Sequence, residues 1–283
     1  MKTLAHFLSL LIPVKKVRKK LRYNLYRKDK INKRKLSILR KFDGYKHEHV
    51  SGVDIAHINK YRLANIFDGD DVNIISEIFY KGEYGFSLGS DVVVIDIGMN
   101  VGMASLYFAS LDNVKHVYGY EPFKPTYEKA LLNISLNEDL AHKITAYNVG
   151  LGKYDRELVV GYDKNAPGMM STVNKENDNE ITDVVLEKVN IVDAAIEVDR
   201  ITNSHAGVNI VIKCDTEGAE NEIFESLDRG GLFAKIDMIM MEYHFSSDKQ
   251  ICAFLAKNHF AYFKQKFITL ETGDFGMIRA VKL

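Results

Sequence analysis

The chain has 283 residues, 46% of them hydrophobic, which suffices for one large core or one and a half domains. It has four prolines and no low-complexity tract, against a long disordered linker, and its two cysteines, Cys214 and Cys252, lack metal-ligand spacing and fit a reducing compartment. No apolar run reaches the roughly 18 residues of a helical bilayer span, so a cytoplasmic location is expected.

The net charge of zero hides an asymmetry. Residues 15–41 carry 14 basic residues and one acid, Asp29, which leaves 24 bases against 37 acids elsewhere. The apolar stretch Phe7–Ile12 precedes this run. It is too short to span a bilayer, and the charges follow it rather than lead it, unlike a secretory signal. Val14, Val17, Leu21 and Leu25 recur at helical spacing among lysines and arginines. That pattern is a basic amphipathic helix, suited to an anionic lipid surface, to packing on the acidic body, or to RNA. No aromatic-rich binding motif supports the last, and no nucleic-acid partner is expected. The favoured contact for residues 1–41 is an anionic membrane, which would place the protein peripherally at the inner face.

Three regions are expected: a basic helical N-terminal extension over 1–45, a helical or mixed lead-in over 46–90, and an α/β domain over 91–283. In the lead-in, Ile75, Ile78, Phe79, Tyr84 and Phe86 form an apolar face. From residue 91, strands alternate with helices, the mark of a mostly parallel sheet. The predicted order is a strand at Val92–Ile97 and a helix from Met103 to Ser110, a strand at His116–Tyr120 and a helix at Pro125–Leu136, then a strand at Ile144–Asn148. Residues 153–205 read as irregular, with a strand at Glu157–Tyr162, a turn at Asn165–Gly168 and an extended Ala195–Val198. A strand at Val208–Cys214, a helix from Glu220 to about Leu227 ended by Gly230-Gly231, and a strand at Ile236–Met241 follow. A helix at Lys249–Asn258 and strands at Tyr262–Phe267 and Gly276–Lys282 close the chain.

The first of these strands carries most information. Val92-Val93-Val94-Ile95 is β-branched throughout, as in a strand covered on both faces. It runs into Asp96-Ile97-Gly98-Met99-Asn100-Val101-Gly102, where Gly98 and Gly102 allow a sharp turn ahead of a helix N-terminus. A dinucleotide fingerprint needs a second glycine where Asn100 stands, and Asp96 would repel a phosphate. The carboxylate suits S-adenosylmethionine, which carries an ammonium and a sulfonium but no phosphate. The bland reading is an ordinary strand–turn–helix with Asp96 as a cap. Glu121 follows the second strand, 25 residues after Asp96, where a carboxylate can accept both ribose hydroxyls. Pro122 shapes the wall, and Asn148 or Val149 is expected near the adenine.

Ligands of open parallel sheets bind outside the carboxyl ends of the strands. Asp96, Glu121, Asn148, Asp215, Glu217, Glu242 and His244 all follow apolar strands. So many acids at successive strand ends imply a cation or a polyhydroxy ligand between them, unless each only caps a helix. Asp215 is expected closest to the acceptor. Glu217, Glu242 and His244 support it, with His244 the base of best unperturbed pKa. Asp215, Glu242 and His244 could hold a divalent ion, although no close ligand-pair spacing supports one. Lys213, inside a strand, is expected to pair with an acid.

Several of these residues carry a family resemblance. Asp96–Gly102, Tyr120-Glu121-Pro122, Asn133 and Asn137, Lys213-Cys214-Asp215-Thr216-Glu217-Gly218-Ala219-Glu220 and Met241-Glu242-Tyr243-His244 resemble the FkbM family of methyltransferases. The pattern covers about 75–245, and the Lys213–Glu220 block is its most specific part. Met99 stands where the family usually has alanine, and Cys214 where it has an aliphatic residue. The resemblance implies a Rossmann-like class I methyltransferase, with a mostly parallel seven-stranded sheet and helices on both faces. It implies S-adenosylmethionine as cofactor and transfer to a hydroxyl oxygen, often on a sugar of a surface polysaccharide or lipid-linked glycan. A polyketide-type acceptor, RNA, or a cofactor-binding protein without catalysis are the alternatives.

Overall fold

The computed structural model describes residues 32–67, 71–163 and 184–283. The amphipathic pattern at 14–25 and the turn at Asn165–Gly168 lie outside the described residues.

Helix α1 (32–39) leads into an antiparallel sheet of β1 (Lys46–Val50), β2 (Val53–Ile58) and β3 (Tyr61–Ala64). Helix α2 (Asp71–Ile75) then widens into a π-helical turn at Ser76–Tyr80. The lead-in is therefore mixed, with more strand than its apolar spacing suggested. His47, His49 and Asp54 make its strands too polar to read from alternation, and pairing between neighbours creates them instead.

The main sheet starts with β4 (Val92–Ile97), all six residues of which are buried. Next come α3 (Met103–Ala109), β5 (Val114–Tyr120), α4 (Lys124–Ser135), α5 (Glu138–Ala141) and β6 (Ile144–Tyr147). A small second sheet follows, made of β7 (Gly150–Gly152), β8 (Arg156–Asp163) and β9 (Val184–Asp193) in the order β7-β9-β8. The chain continues through α6 (Ala194–Ser204), β10 (Asn209–Cys214), α7 (Glu220–Arg229), β11 (Met238–Tyr243) and α8 (Asp248–Lys257). It ends in the hairpin β12 (Phe260–Leu270) and β13 (Gly273–Lys282). The seven strands lie in the order β12-β13-β11-β10-β4-β5-β6. β4, β5, β6, β10 and β11 are parallel, and β13 runs antiparallel beside β11. This is the expected mostly parallel seven-stranded Rossmann-like sheet. The chain builds outward from β4 to β6, then returns to lay β10 on the other side of β4. The topological switch point, and with it the natural ligand crevice, falls at the carboxyl ends of β4 and β10.

Strand alternation divides the core in two. On one face, Val93, Ile95, Ile97, Ile212 and Ile239 pack against Val198, Ile201, Phe224, Leu227 and Leu255 from α6, α7 and α8. On the other, Val92, Val94, Val211 and Met240 meet Leu106 and Phe108 of α3 and Ile58, Leu63, Val72 and Ile75 of the lead-in. At about 1.5–3 kcal/mol per buried aliphatic side chain, the lead-in is a structural layer and not an appendage. Two asparagines bind it to the domain. Asn133 Oδ1 accepts from Ala64 N at 2.8 Å while its Nδ2 donates to Val101 O at 2.8 Å. Asn137 Oδ1 accepts from Arg62 N at 2.9 Å and its Nδ2 donates to Arg62 O at 2.8 Å. Together they satisfy Arg62 and Ala64 on the outer edge of β3, which pairs with no further strand among the described residues.

The reading of residues 153–205 as irregular is overturned, since β9 and α6 fall within it. Ala195–Val198 is not extended but opens α6. Asp193 accepts from Ala195 N at 3.0 Å as N-cap, and Val198 and Ile201 are buried at helical spacing. The β-branched residues drew the extended reading; the capping aspartate was the stronger signal. Cys214 is fully buried beside Ile212, an isostere of the aliphatic residue expected there, and both cysteines are free. Among the described residues, no helix is long and apolar enough to cross a membrane.

Candidate active site

The register of the central strands brings the charges together. Lys213 on β10 is directly opposite Asp96 on β4, and Met240 on β11 is opposite Lys213. Counting alternately, Asp96, Lys213 and Glu242 all project to the lead-in face. Lys213 Nζ lies 3.1 Å from Asp96 Oδ1, donates to Gly98 O at 2.6 Å, and is 3.8 Å from Asp215 Oδ2. Burial would discharge this amine, but the Asp96 and Asp215 carboxylates outweigh it and hold its pKa above the ordinary lysine value. Asp96 also accepts from Ser105 Oγ at 2.6 Å and is fully buried. It therefore stands behind the crevice wall, as the partner of Lys213.

The backbone turns of the crevice are tight. Gly98 has φ +78°, and a Cβ there would lie 1.8 Å from Asp215 O. Its glycine is required by the close approach of the β4 and β10 loops to one another. Asn100 (φ 52°) and Glu217 (φ 56°) hold the left-handed conformation without being glycine, which costs of order 1 kcal/mol each.

Two cavities open on these loops. The first is lined by Gly98, Asn100, Glu121, Pro122, Gly150, Leu151, Ile191, Asp215 and Glu217, among others. In it Glu121 Oε2 accepts from Asn100 N and Oε1 from Phe123 N, both at 3.0 Å. Burial lifts this carboxyl to about 7 against those two stabilising bonds. Each oxygen keeps a lone pair for a ligand hydroxyl. The second cavity, about 300 Å³, lies on the lead-in side. Asn73, Ile74, Glu77 and Ile78 of the 71–80 helical segment form one wall, and Tyr84, Met103, Lys213 and Glu242 form others. Asn100, Asp215 and Glu217 line both cavities and so form the partition between them.

His244 sits behind the partition, 3% exposed. Its Nδ1 is 2.8 Å from Glu220 Oε1, and its Nε2 is 3.6 Å from Glu217, 3.9 Å from Asp215 and 4.0 Å from Glu242. Burial lowers its pKa, but the Glu220 bond and the surrounding carboxylates raise it further, to about 9. This moves the imidazole away from the unperturbed value on which His244 was expected to act as base. Glu242 moves the opposite way from an ordinary acid: burial, then Asp215, push its pKa upward. Tyr84 donates to Asp215 Oδ2 at 3.3 Å, and its phenol is held far from ionisation by burial and the neighbouring acids.

Of the predicted residues, Gly98, Asn100, Glu121, Pro122, Asp215, Glu217 and Glu242 line a cavity. Asp96, Gly102, Asn148 and Val149 do not. Gly102 packs on Ala130, which a Cβ would meet at 3.3 Å. Asn148 donates to Glu121 O and Pro122 O at 2.9 and 3.1 Å, fixing that loop from behind. Val149 packs into the core, and Gly150 and Leu151 take the wall position expected of it. Sequence reasoning expected segments 46–90 and 153–205 to shape the acceptor pocket but singled out none of Tyr84, Gly150, Ile191 or the residues of the 71–80 wall. Only Gly150 carried a local signal, in the Val149-Gly150-Leu151-Gly152 run.

The first cavity can be tested for S-adenosylmethionine. Among the described residues it is lined by no lysine or arginine that could hold a phosphate, and it presents the carboxylates of Glu121, Asp215 and Glu217, with Glu121 placed for ribose hydroxyls. A Cβ at Gly150 would meet Pro122 at 3.3 Å and Ile191 at 2.7 Å, so the glycine keeps this wall open. The donor and acceptor set fits that cofactor. A mostly parallel sheet with an acid-lined crevice at its switch point is the frame of a Rossmann-like methyltransferase.

The family model described as the methyltransferase FkbM domain matches residues 96–266, more than half of the chain, and the chain belongs to that family. It is 24% identical over 169 residues to Methyltransferase 1 of Beauveria bassiana, covering 55% of this chain and 66% of that protein. It is 25% identical over 177 residues to Methyltransferase sdnD of Sordaria araneosa, covering 55% and 68% respectively. A shorter match, 30% over 105 residues, is to AMB antimetabolite synthetase AmbE of Pseudomonas aeruginosa, covering 36% of this chain and 5% of that one. The chain thus spans about two thirds of the two fungal proteins and a small part of AmbE. The crystal structure of methyltransferase FkbM from Methylobacillus flagellatus KT superposes with a TM-score of 0.48 at 15% identity, covering 72% of this chain and 47% of that one.

Proposed function

We propose that this protein transfers the methyl group of S-adenosylmethionine to a hydroxyl oxygen of a neutral, polyhydroxy acceptor, a sugar of a surface polysaccharide or lipid-linked glycan. The observation that carries this reading is the pair of cavities sharing Asn100, Asp215 and Glu217 as their partition. A cofactor in one cavity and an acceptor in the other would meet only across those residues. Among the described residues, the second cavity is lined by Glu77, Glu83, Asp215, Glu217 and Glu242, with Lys213 the one cation. Five acids oppose a phosphate-rich acceptor such as RNA and suit hydroxyl groups, whose protons they accept.

When bound, the cofactor supplies an electrophilic methyl and leaves as a neutral thioether. The chain's share is alignment, water exclusion and removal of one proton. Glu121 fixes the ribose, and the Asp215 and Glu217 carboxylates face the positive charge. Asp215, held by Tyr84 and Lys213, orients the acceptor hydroxyl as it is placed in line with the methyl. Glu242 takes the hydroxyl proton, because burial makes it a stronger base than an ordinary carboxylate. The basic tail, with its charge opposite to that of anionic lipid, would hold the enzyme beside a lipid-anchored acceptor.

Calorimetric titration of the purified chain with S-adenosylmethionine and, separately, NAD tests the cofactor. Binding of S-adenosylmethionine alone, lost in Glu121→Ala, is expected. Binding of NAD, or of neither, overturns the reading. With the cofactor established, Glu242→Gln should keep binding and Asp215→Asn should weaken it, and both should lose methyl transfer to glycan acceptors, followed by mass spectrometry.

A further inference from the structure

We infer that Asp215, Glu217 and His244 form a binding site for one divalent cation on the acceptor side of the partition. One atom from each of these side chains lies within 4.8 Å of the others. His244 Nε2 is 3.6 Å from Glu217 Oε2 and 3.9 Å from Asp215 Oδ1. Two ligands bound at about 2.1–2.2 Å to one ion, with an angle of about 110–130° between them, are separated by about 3.5–4.0 Å. The spacing matches a shared ion and is too long for hydrogen bonds.

The second observation is His244 itself. This side chain is 3% exposed, and among the described residues its Nε2 faces three carboxylates at 3.6–4.0 Å. Its other nitrogen is fixed at 2.8 Å by Glu220 Oε1, an acid with no exposed surface. Glu220 in turn accepts from Gly218 N at 2.9 Å and Thr216 Oγ1 at 3.2 Å, which locks its position. A buried carboxylate orienting an imidazole from behind, with the far nitrogen aimed at acids, is the outer support that metal-ligating histidines use.

One imidazole with two carboxylates favours Mn²⁺ or Zn²⁺ over the all-oxygen preference of Mg²⁺ and Ca²⁺. Asp215 and Glu217 also line the acceptor cavity, so an ion there has open positions toward it. In that place it would bind the acceptor oxygen and lower the pKa of its hydroxyl. This role rests on the methyltransferase reading above; the site does not.

Electron paramagnetic resonance with Mn²⁺ tests the site directly, since the free-ion signal disappears on binding. The full chain, stripped with chelator, is expected to take up one Mn²⁺ per molecule. Glu217→Gln and His244→Gln should each weaken it at least 10-fold, and Glu220→Gln by about 10–100-fold through lost orientation. Glu217 is part exposed, so its variant is expected to fold, which circular dichroism checks. Wild-type uptake no tighter than that of folded Glu217→Gln, or no uptake at millimolar Mn²⁺, overturns the proposal. Titration with S-adenosylmethionine is separate, so loss of the metal site and loss of the methyltransferase reading are distinguishable.

Discussion

Glu121 and Lys213 show how single residues of this site trade burial against charge. Glu121 has an ordinary pKa of 4.5 lifted to about 7 by burial. Between these values the folded protein keeps a proton that the unfolded chain has released, so stability falls as pH rises through that window. Urea denaturation at pH 5 and pH 8 should show this fall in the wild type and a flatter profile in Glu121→Gln. The same substitution should weaken S-adenosylmethionine binding by about 10–100-fold, the worth of a charge-assisted hydrogen bond. Lys213 has the opposite problem. Lys213→Met leaves Asp96 buried and unpaired, and should cost about 3–5 kcal/mol in chemical denaturation. The double variant Lys213→Met, Asp96→Leu should recover part of that loss if the pair itself is the cause. Glu121 was legible in the sequence because an acid after the second strand has few other uses. The inward turn of Asp96 was not, because its partner lies 117 residues away and meets it only by register.

At the scale of elements, the crevice depends on two loops touching. Gly98→Ala would drive a Cβ into Asp215 O, 1.8 Å away, at a φ that L-residues resist. The expected cost is upwards of about 2 kcal/mol, with cofactor binding lost in calorimetry. Glu217 is the converse case. Glu217→Gly should raise the unfolding free energy by about 1 kcal/mol by relieving its left-handed backbone, while lowering turnover. A fall in both would mean that the side chain's contacts outweigh the strain. The main strands and helices were legible within a few residues because β-branched runs and 3.6-residue spacing are local signals. The lead-in strands and α6 were not, and β9 was not expected at all. The lead-in strands are polar and stabilised by pairing, and α6 depends on its Asp193 cap more than on its β-branched residues.

At the scale of the whole molecule, the lead-in layer joins stability to function. Its 71–80 segment forms a wall of the second cavity, and Asn133 and Asn137 fasten it to α4. Asn133→Leu should leave the Ala64 and Val101 backbone groups unpaired and cost about 2–4 kcal/mol. Limited proteolysis should then cut first between residues 46 and 90. Removal of residues 1–31 spares the buried Leu39 and Phe42, and is expected to abolish binding to anionic vesicles without changing cofactor affinity. The sequence alone determined the α/β class, the parallel sheet, the glycine turn and the acids at the strand ends, because each is written in neighbouring residues. Only the tertiary structure decided which acids line a cavity and which meet Lys213, that two cavities share one partition, and that His244 is buried and held by Glu220. Those outcomes depend on strand register and on the dielectric of the packed interior, and both arise only when distant segments meet.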